Sequence, residues 1–151
     1  MGTKEFLSFV LAEEEYAVDI LDVREVRGWS DVRPIPNSPE FLLGVLELRG
    51  EYVPIVDLRS RFGMEPAVLN ATTVVIVLND ANGKPLGIIV DAVSEVYPLS
   101  EEQIKPAPSL SVSIDHRYIV GITAVENGHV VLINLEALFD IGELNQLSET
   151  A

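Results

Sequence analysis

The sequence predicts an all-β protein built as two small five-stranded barrels from an internal duplication. Three observations lead there. Apolar residues come in short runs punctuated by glycine-marked turns, the pattern of short strands. The chain then repeats itself: at an offset of 70, Tyr16, Val23, Glu25 and Val26 fall on Leu86, Val93, Glu95 and Val96; at 72, Pro34 and Pro36 fall on Pro106 and Pro108; at 77, Gly44, Asp57, Leu58 and Phe62 fall on Gly121, Asn134, Leu135 and Phe139. Finally, 151 residues make one domain or two very small ones. Each half, of about seventy residues, is marginal alone and should pack on the other through an apolar seam. We place the halves at roughly 5–64 and 72–139 of a single domain spanning 1–151, with strand exchange between them left open. In such a pair, equivalent positions face one another or flank a shared groove, which makes Val23 and Val93 candidate walls of one groove.

In chain order, Phe6–Leu11 reads as a strand, Ala12–Glu15 as a polar turn and Tyr16–Ile20 as the returning strand. Ile20, Val23 and Val26 recur every third residue, which fits a helical turn or an irregular strand equally. Pro34, Pro36 and Pro39 then fix a connector that cannot be helical. The central stretch is GVLELRGEYVPIVDLRSRFG, Gly44 to Gly63. Its two apolar runs flank Arg49-Gly50-Glu51 and predict a hairpin. Pro54 has no N–H for a ladder, so its strand should have an edge or a bulge there. Asp57 stands where a helical turn can begin, with Leu58 and Phe62 on one face and Gly63 as the stop. The second half restarts with a strand at Thr72–Leu78, a turn at Asn79–Gly83 and a partner strand at Leu86–Val90. A last helix is expected from Glu136 onward.

Composition excludes several classes of function. With 48% apolar residues the chain is globular, and at this length about 68–70% of the unfolded surface can be buried. There is no cysteine, so no disulfide, thiolate metal site or cysteine nucleophile exists. The N-terminus lacks the basic and apolar segments of a secretory signal and no apolar run approaches about 20 residues, so a cytoplasmic location is expected. Twenty-four acidic against ten basic residues give a formal charge of −14, which repels phosphate backbones and anionic lipid. Nucleic acid and membrane insertion are not expected.

No catalytic constellation emerges. His116 and His129 are the two histidines, neither in a metal-ligand spacing, and His129 follows Asn127-Gly128 in a hairpin turn. Gly83-Lys84-Pro85 lacks the form of a phosphate loop, and no serine sits in a nucleophile elbow. Neither a catalytic residue nor a metal or other cofactor is expected. Recognition by surface remains. Arg59 and Arg61 read as solvated or paired with nearby carboxylates such as Glu47, Glu51 and Asp57, and Glu25 as solvated. Arg49 reads equally as a solvated cation and as a binding hot spot. Val23 and Val93 read equally as core and as groove wall.

The segment Gly44–Gly63 resembles the most distinctive part of the CheW-like family of chemotaxis coupling proteins, and the likeness covers nearly the whole chain. YAVDILDVREV (Tyr16–Val26), VVIVL followed by GIIVDAVSEV (Gly87–Val96), LSEEQIKPAP (Leu99–Pro108) and YIVGI (Tyr118–Ile122) add matched blocks in the same order. One departure is Glu47, where the family has Asn before Leu-Arg-Gly. The resemblance implies two SH3-like five-stranded β-barrels with short helical turns and a C-terminal helix. It also implies a non-enzymatic adaptor, recruited to receptor arrays at the inner face of the membrane, that links the cytoplasmic tip of transmembrane chemoreceptors to the regulatory domain of the histidine kinase CheA. Carried over residue by residue, the receptor groove would comprise Leu7, Ile20, Val23, Val26 and Val93, with Glu25 and Arg49 as polar contacts. Ile35 and Tyr52 would be candidates on the kinase side. Other readings are a regulatory-domain fragment of a CheA-type kinase, a fragment of a receiver-fused scaffold, and, from a different class, a small-ligand-binding barrel. The chain starts near its first strand and ends soon after its last, which favours a free-standing protein over the kinase fragment.

Overall fold

The computed structural model describes residues 2–30, 32–106, 116–126 and 128–139. Among these run the strands β1 (Lys4–Leu11), β2 (Glu14–Asp19), β3 (Val23–Gly28), β4 (Leu42–Leu48), β5 (Glu51–Asp57), β6 (Val74–Asn79), β7 (Pro85–Val90), β8 (Ala92–Leu99), β9 (Ile119–Val125) and β10 (Gly128–Ile133). Two short helices, α1 (Leu58–Arg61) and α2 (Leu135–Phe139), follow β5 and β10. The expected C-terminal helix is described only as far as Phe139, and Pro108 and Asn127 also lie outside the described residues.

The strands form two five-stranded sheets in the orders β8-β1-β2-β10-β9 and β3-β6-β7-β5-β4. Each sheet therefore takes one hairpin from one half of the chain and three strands from the other. The duplication survives in the register: Leu132 pairs with Ala17 across the parallel β10–β2 ladder, and their repeat equivalents Ile55 and Gly87 pair across β5–β7. A paired backbone bridge joins Arg33 to Val45 (2.9 Å in both directions), and its equivalent joins Lys105 to Ile122 (2.8 and 2.7 Å). These bridges bring the chain leaving one outer strand against the opposite outer strand, curling each sheet towards closure as a barrel. Each bridge passes over a glycine: a Cβ at Gly44 would lie 2.1 Å from the Arg33 carbonyl oxygen, and one at Gly121 would lie 2.7 Å from that of Lys105.

Strand alternation gives the molecule three apolar layers. Leu7 and Phe9 of β1 face a central core shared by both sheets, together with Val56, Ile76, Leu78 and Ile88. Phe6 points the other way, into the first barrel with Ala17, Leu99, Val130 and Leu132. Val53, Ile55, Val75, Val77 and Ile89 fill the second barrel. The seam is the larger cluster, and burial of each large side chain in it contributes about 1.5–3 kcal/mol. A run of aromatic contacts crosses it, Phe9 to Tyr16 (6.1 Å), Tyr16 to Phe62 (6.0 Å) and Phe62 to Tyr118 (5.2 Å).

Local expectations are met or corrected in detail. Asp57 caps α1 as read: it is buried, and its Oδ1 accepts from the Arg59 N–H at 3.1 Å while its Oδ2 accepts from the Ala67 N–H at 2.9 Å. The ambiguous stretch after Asp19 resolves into both options, a 3-10 turn at Ile20–Asp22 and then the strand β3. Pro54 is not on an edge strand, because β5 lies between β7 and β4, but the expected irregularity lies next to it: the β4–β5 register shifts between Leu42 and Gly44, opposite Val56 and Ile55. The proline is accommodated because the parallel ladder to β7 begins one residue later, at Ile55. The first return strand begins at Glu14, so the expected four-residue turn shrinks to Ala12-Glu13, both with positive φ.

Candidate functional site

The expected groove residues sit on or beside the outer strands β3 and β8. Both strands carry a bulge at equivalent places: the register to β6 shifts between Val23 and Glu25, and that of β8 to β1 shifts between Val93 and Val96. A bulge adds a residue to one strand, bends it and re-aims its side chains. In β8 the irregularity is held by the buried Ser8, whose Oγ accepts the Glu95 N–H at 3.0 Å. The result is two outer strands whose apolar residues are only half withdrawn from water. Val23 and Val93 are partly buried against the central core, whereas Val26 and Val96, equivalent in the repeat, are 45% and 40% exposed.

Leu7, Ile20, Val23 and Val93 all meet this core, Leu7 within it and the other three on its margin. Across the β1–β8 ladder, Leu7 stands opposite Val96 and Phe9 opposite Val93. Val26 stands opposite Ile76 and faces outward.

Glu25 is not a solvated carboxylate. Its Oε1 lies 3.5 Å from Arg49 Nη1 and its Oε2 lies 3.9 Å from Arg27 Nη1. Next to it, Arg24 Nη1 donates to Glu51 Oε1 at 2.8 Å. The Glu25–Arg49 and Arg24–Glu51 pairs tie β3 to the tip of the β4–β5 hairpin, which lies at the opposite edge of the sheet. Arg49 itself is 79% exposed at its side chain, so its pair with Glu25 contributes at most about 1 kcal/mol and leaves the guanidinium accessible. Arg49 and Gly50 adopt φ of 52° and 82°, the left-handed pair of a two-residue hairpin turn, in which Asn rather than Arg is the usual first residue.

The other two arginines are structural. Arg59 pairs with Asp91, not with Asp57, Glu47 or Glu51. The Arg61 guanidinium is stacked over Phe41 at 4.6 Å and Tyr118 at 4.9 Å. Of the kinase-side candidates, Ile35 is partly buried against the central core and Tyr52 is 59% exposed on β5. Tyr52 pairs in register with Glu47, the residue that departs from the family pattern. His129 is exposed on β10.

Sequence reasoning passed over a cavity of about 580 Å³ at the end of the first barrel, lined by residues that include Phe6, Asp19, Asp22, Ile104, Val120 and Glu136. Its signal was Val120, an apolar lining residue that is 60% exposed. No helix among the described residues is long and apolar enough to cross a membrane.

The family model for the CheW-like domain matches residues 5–143. The chain is 41% identical over 138 residues to the probable chemotaxis protein CheW of Rhizobium etli, covering 91% of this chain and 88% of that one. It is 42% identical over 148 residues to the chemotaxis protein CheW of Klebsiella aerogenes, covering 98% and 89%. The crystal structure of the scaffolding protein TtCheW from Thermoanaerobacter tengcongensis superposes with a TM-score of 0.83 at 36% identity, covering 95% of this chain and 91% of that one.

Proposed function

The chain belongs to the CheW-like domain family, and from that premise we propose that it is a chemotaxis adaptor that couples transmembrane chemoreceptors to the histidine kinase CheA. The observation that carries the reading is the pair of bulged outer strands β3 and β8, which leave apolar side chains half exposed beside a core common to both sheets. A helical receptor tip needs such a site, with apolar anchors in a groove and one or two charges at its margin. Leu7, Ile20, Val23, Val26 and Val93 are the anchors in this proposal, and Glu25 and Arg49 the marginal charges. The kinase regulatory domain takes a separate surface that includes Ile35 and Tyr52. The protein works in the cytoplasm, at receptor arrays on the inner face of the membrane.

The mechanism needs no chemistry from the adaptor. Binding receptor and kinase at two surfaces raises the kinase's effective concentration at the array and fixes its orientation. Receptor state changes kinase activity through different contacts with the active and inactive arrangements. The test is autophosphorylation of a CheA-type kinase on receptor-containing membranes, with and without this protein. Strong phosphorylation that requires all three components supports coupling. Kinase binding without receptor dependence, or no binding to either partner, rejects it.

A further inference from the structure

We propose that the crevice at the end of the first barrel is a second docking site, one that takes a segment of a partner protein presenting an apolar side chain flanked by lysine or arginine. The site lies on the other face of β1 from the receptor groove: Leu7 faces the central core, whereas Phe6 forms part of the crevice floor with Ile104 and Leu132. Asp19, Asp22, Glu101 and Glu136 stand around that floor, with Lys4 the one cation among the described lining residues. Among the described residues no salt bridge neutralises Asp22, Glu101 or Glu136.

The duplication shows that this is a departure rather than a general property of the fold. A smaller crevice of about 230 Å³ occupies the related place on the second barrel and is lined by Arg59, Ile89 and Asp91, the repeat equivalents of Glu136, Asp19 and Leu21. There the charges cancel in the Arg59–Asp91 pair, and the chain's own Pro66–Val68 and Asn70 line the space. In the first barrel the same two positions hold Glu136, which lines the crevice, and Leu21, which lies outside the lining, between Asp19 and Asp22 in the chain, and is 86% exposed. A self-cancelling pair has thus become an acidic rim beside an exposed apolar residue. Charge selects the occupant: an anionic or neutral segment meets several carboxylates, and a cationic one meets partners for its charges. The chain's own residues 140–151 carry Asp140, Glu143 and Glu149 and no Lys or Arg, which makes them the disfavoured occupant.

The test uses the full chain with two fluorescent model peptides, a Lys-Leu-Leu-Lys repeat and a Glu-Leu-Leu-Glu repeat, read by anisotropy, with amide shift mapping of the bound site. The lysine peptide should bind at least about tenfold more tightly than the glutamate peptide, and the shifts should centre on Phe6, Ile104 and Val120. The Asp22→Lys/Glu136→Lys variant should weaken it at least about tenfold. A variant of equal charge change in the β1–β2 turn, Glu13→Lys/Glu14→Lys, should weaken it far less, which separates the site from the overall field of the chain. Equal binding of the two peptides, equal effects of the two variants, or shifts centred elsewhere overturn the proposal. So does a chain ending at Phe139 that binds the lysine peptide more than about tenfold better, since the tail is then the occupant.

Discussion

Arg59 and Asp91 meet in a two-point pair, with Arg59 Nε donating to Oδ1 at 2.9 Å and Nη2 donating to Oδ2 at 2.6 Å. The Asp91 carboxylate also accepts the Ala12 N–H at 2.9 Å, and the Asp91 N–H donates to the Val10 carbonyl at 3.0 Å. One residue thereby joins α1, the β7–β8 corner and the β1–β2 turn. Asp91→Ala should lower stability by about 1–3 kcal/mol, read from urea denaturation. An unchanged midpoint would show that the pair is neutral.

The same pair sets an acid limit. The hydrogen bonds from Arg59, ahead of that from Ala12, hold the Asp91 carboxyl below its ordinary value. A carboxyl lowered on folding contributes stability that is complete above its unfolded pKa, about 3.9, and lost as pH falls through the folded value. The stability difference between the natural protein and Asp91→Ala should be constant near neutrality and shrink below pH about 4. A difference that stays constant into acid would assign the loss to packing alone.

Tyr16 sets the alkaline limit. Burial, with Glu14 adding to it, pushes its phenol up to about 12. A group raised on folding contributes stability that is complete below its unfolded value, about 10 for tyrosine, and lost as pH rises through the folded one. Thermal melts should therefore fall as pH climbs from about 10, and Tyr16→Phe should flatten that fall. Tyr97, raised by desolvation and by its hydrogen bond to Glu15, should leave a residual slope.

Arg49 holds a backbone conformation that suits it poorly. Arg49→Asn should stabilise the hairpin by about 0.5–1 kcal/mol while weakening receptor binding, and Arg49→Asp should weaken that binding by about 1–3 kcal/mol with the fold intact. Unchanged receptor affinity in a co-sedimentation assay would remove Arg49 from the site.

Val23→Asp places a charge on the margin of the central core. It should abolish receptor binding and spare kinase binding. Equal loss of both, with a lowered melting temperature, would mean misfolding instead.

Gly44 tests the barrel closure. A Cβ there meets the Arg33 carbonyl oxygen at 2.1 Å and the φ is 148°, so Gly44→Ala should cost about 2–4 kcal/mol and break the Arg33–Val45 bridge. Gly121→Ala, with its nearest contacts at 2.7 Å, should cost less in the same denaturation experiment.

Most strands, the Asp57 cap and the duplication were legible because each is written in adjacent residues: alternation, turn glycines, a capping side chain. What pairs with what was not. The β2–β10 and β5–β7 ladders join segments remote in sequence, and no local pattern says whether a hairpin stays with its own half. β3 and β8 were read poorly because their outer positions mix Val26 and Val96 with charged neighbours, which blurs the period of two. The groove residues came from the family resemblance and from the match of Val23 to Val93, not from periodicity. The partners of Arg59 and Arg61 were out of reach for the same reason as the ladders, since Asp91 and Tyr118 are supplied by the other half of the chain.

The exchange of hairpins between sheets has a mechanical consequence. A boundary between two self-contained barrels would be a hinge, and a hinge between receptor and kinase would absorb the small displacements that carry a signal. Here every ladder stays within its own sheet, the chain crosses between the sheets after β2 and again after β7, and the shared core lies between them, so a tilt of one barrel on the other has to open that core. Under the proposed function, an adaptor made this way would act as a strut, passing the orientation of one partner on to the other through that packed core.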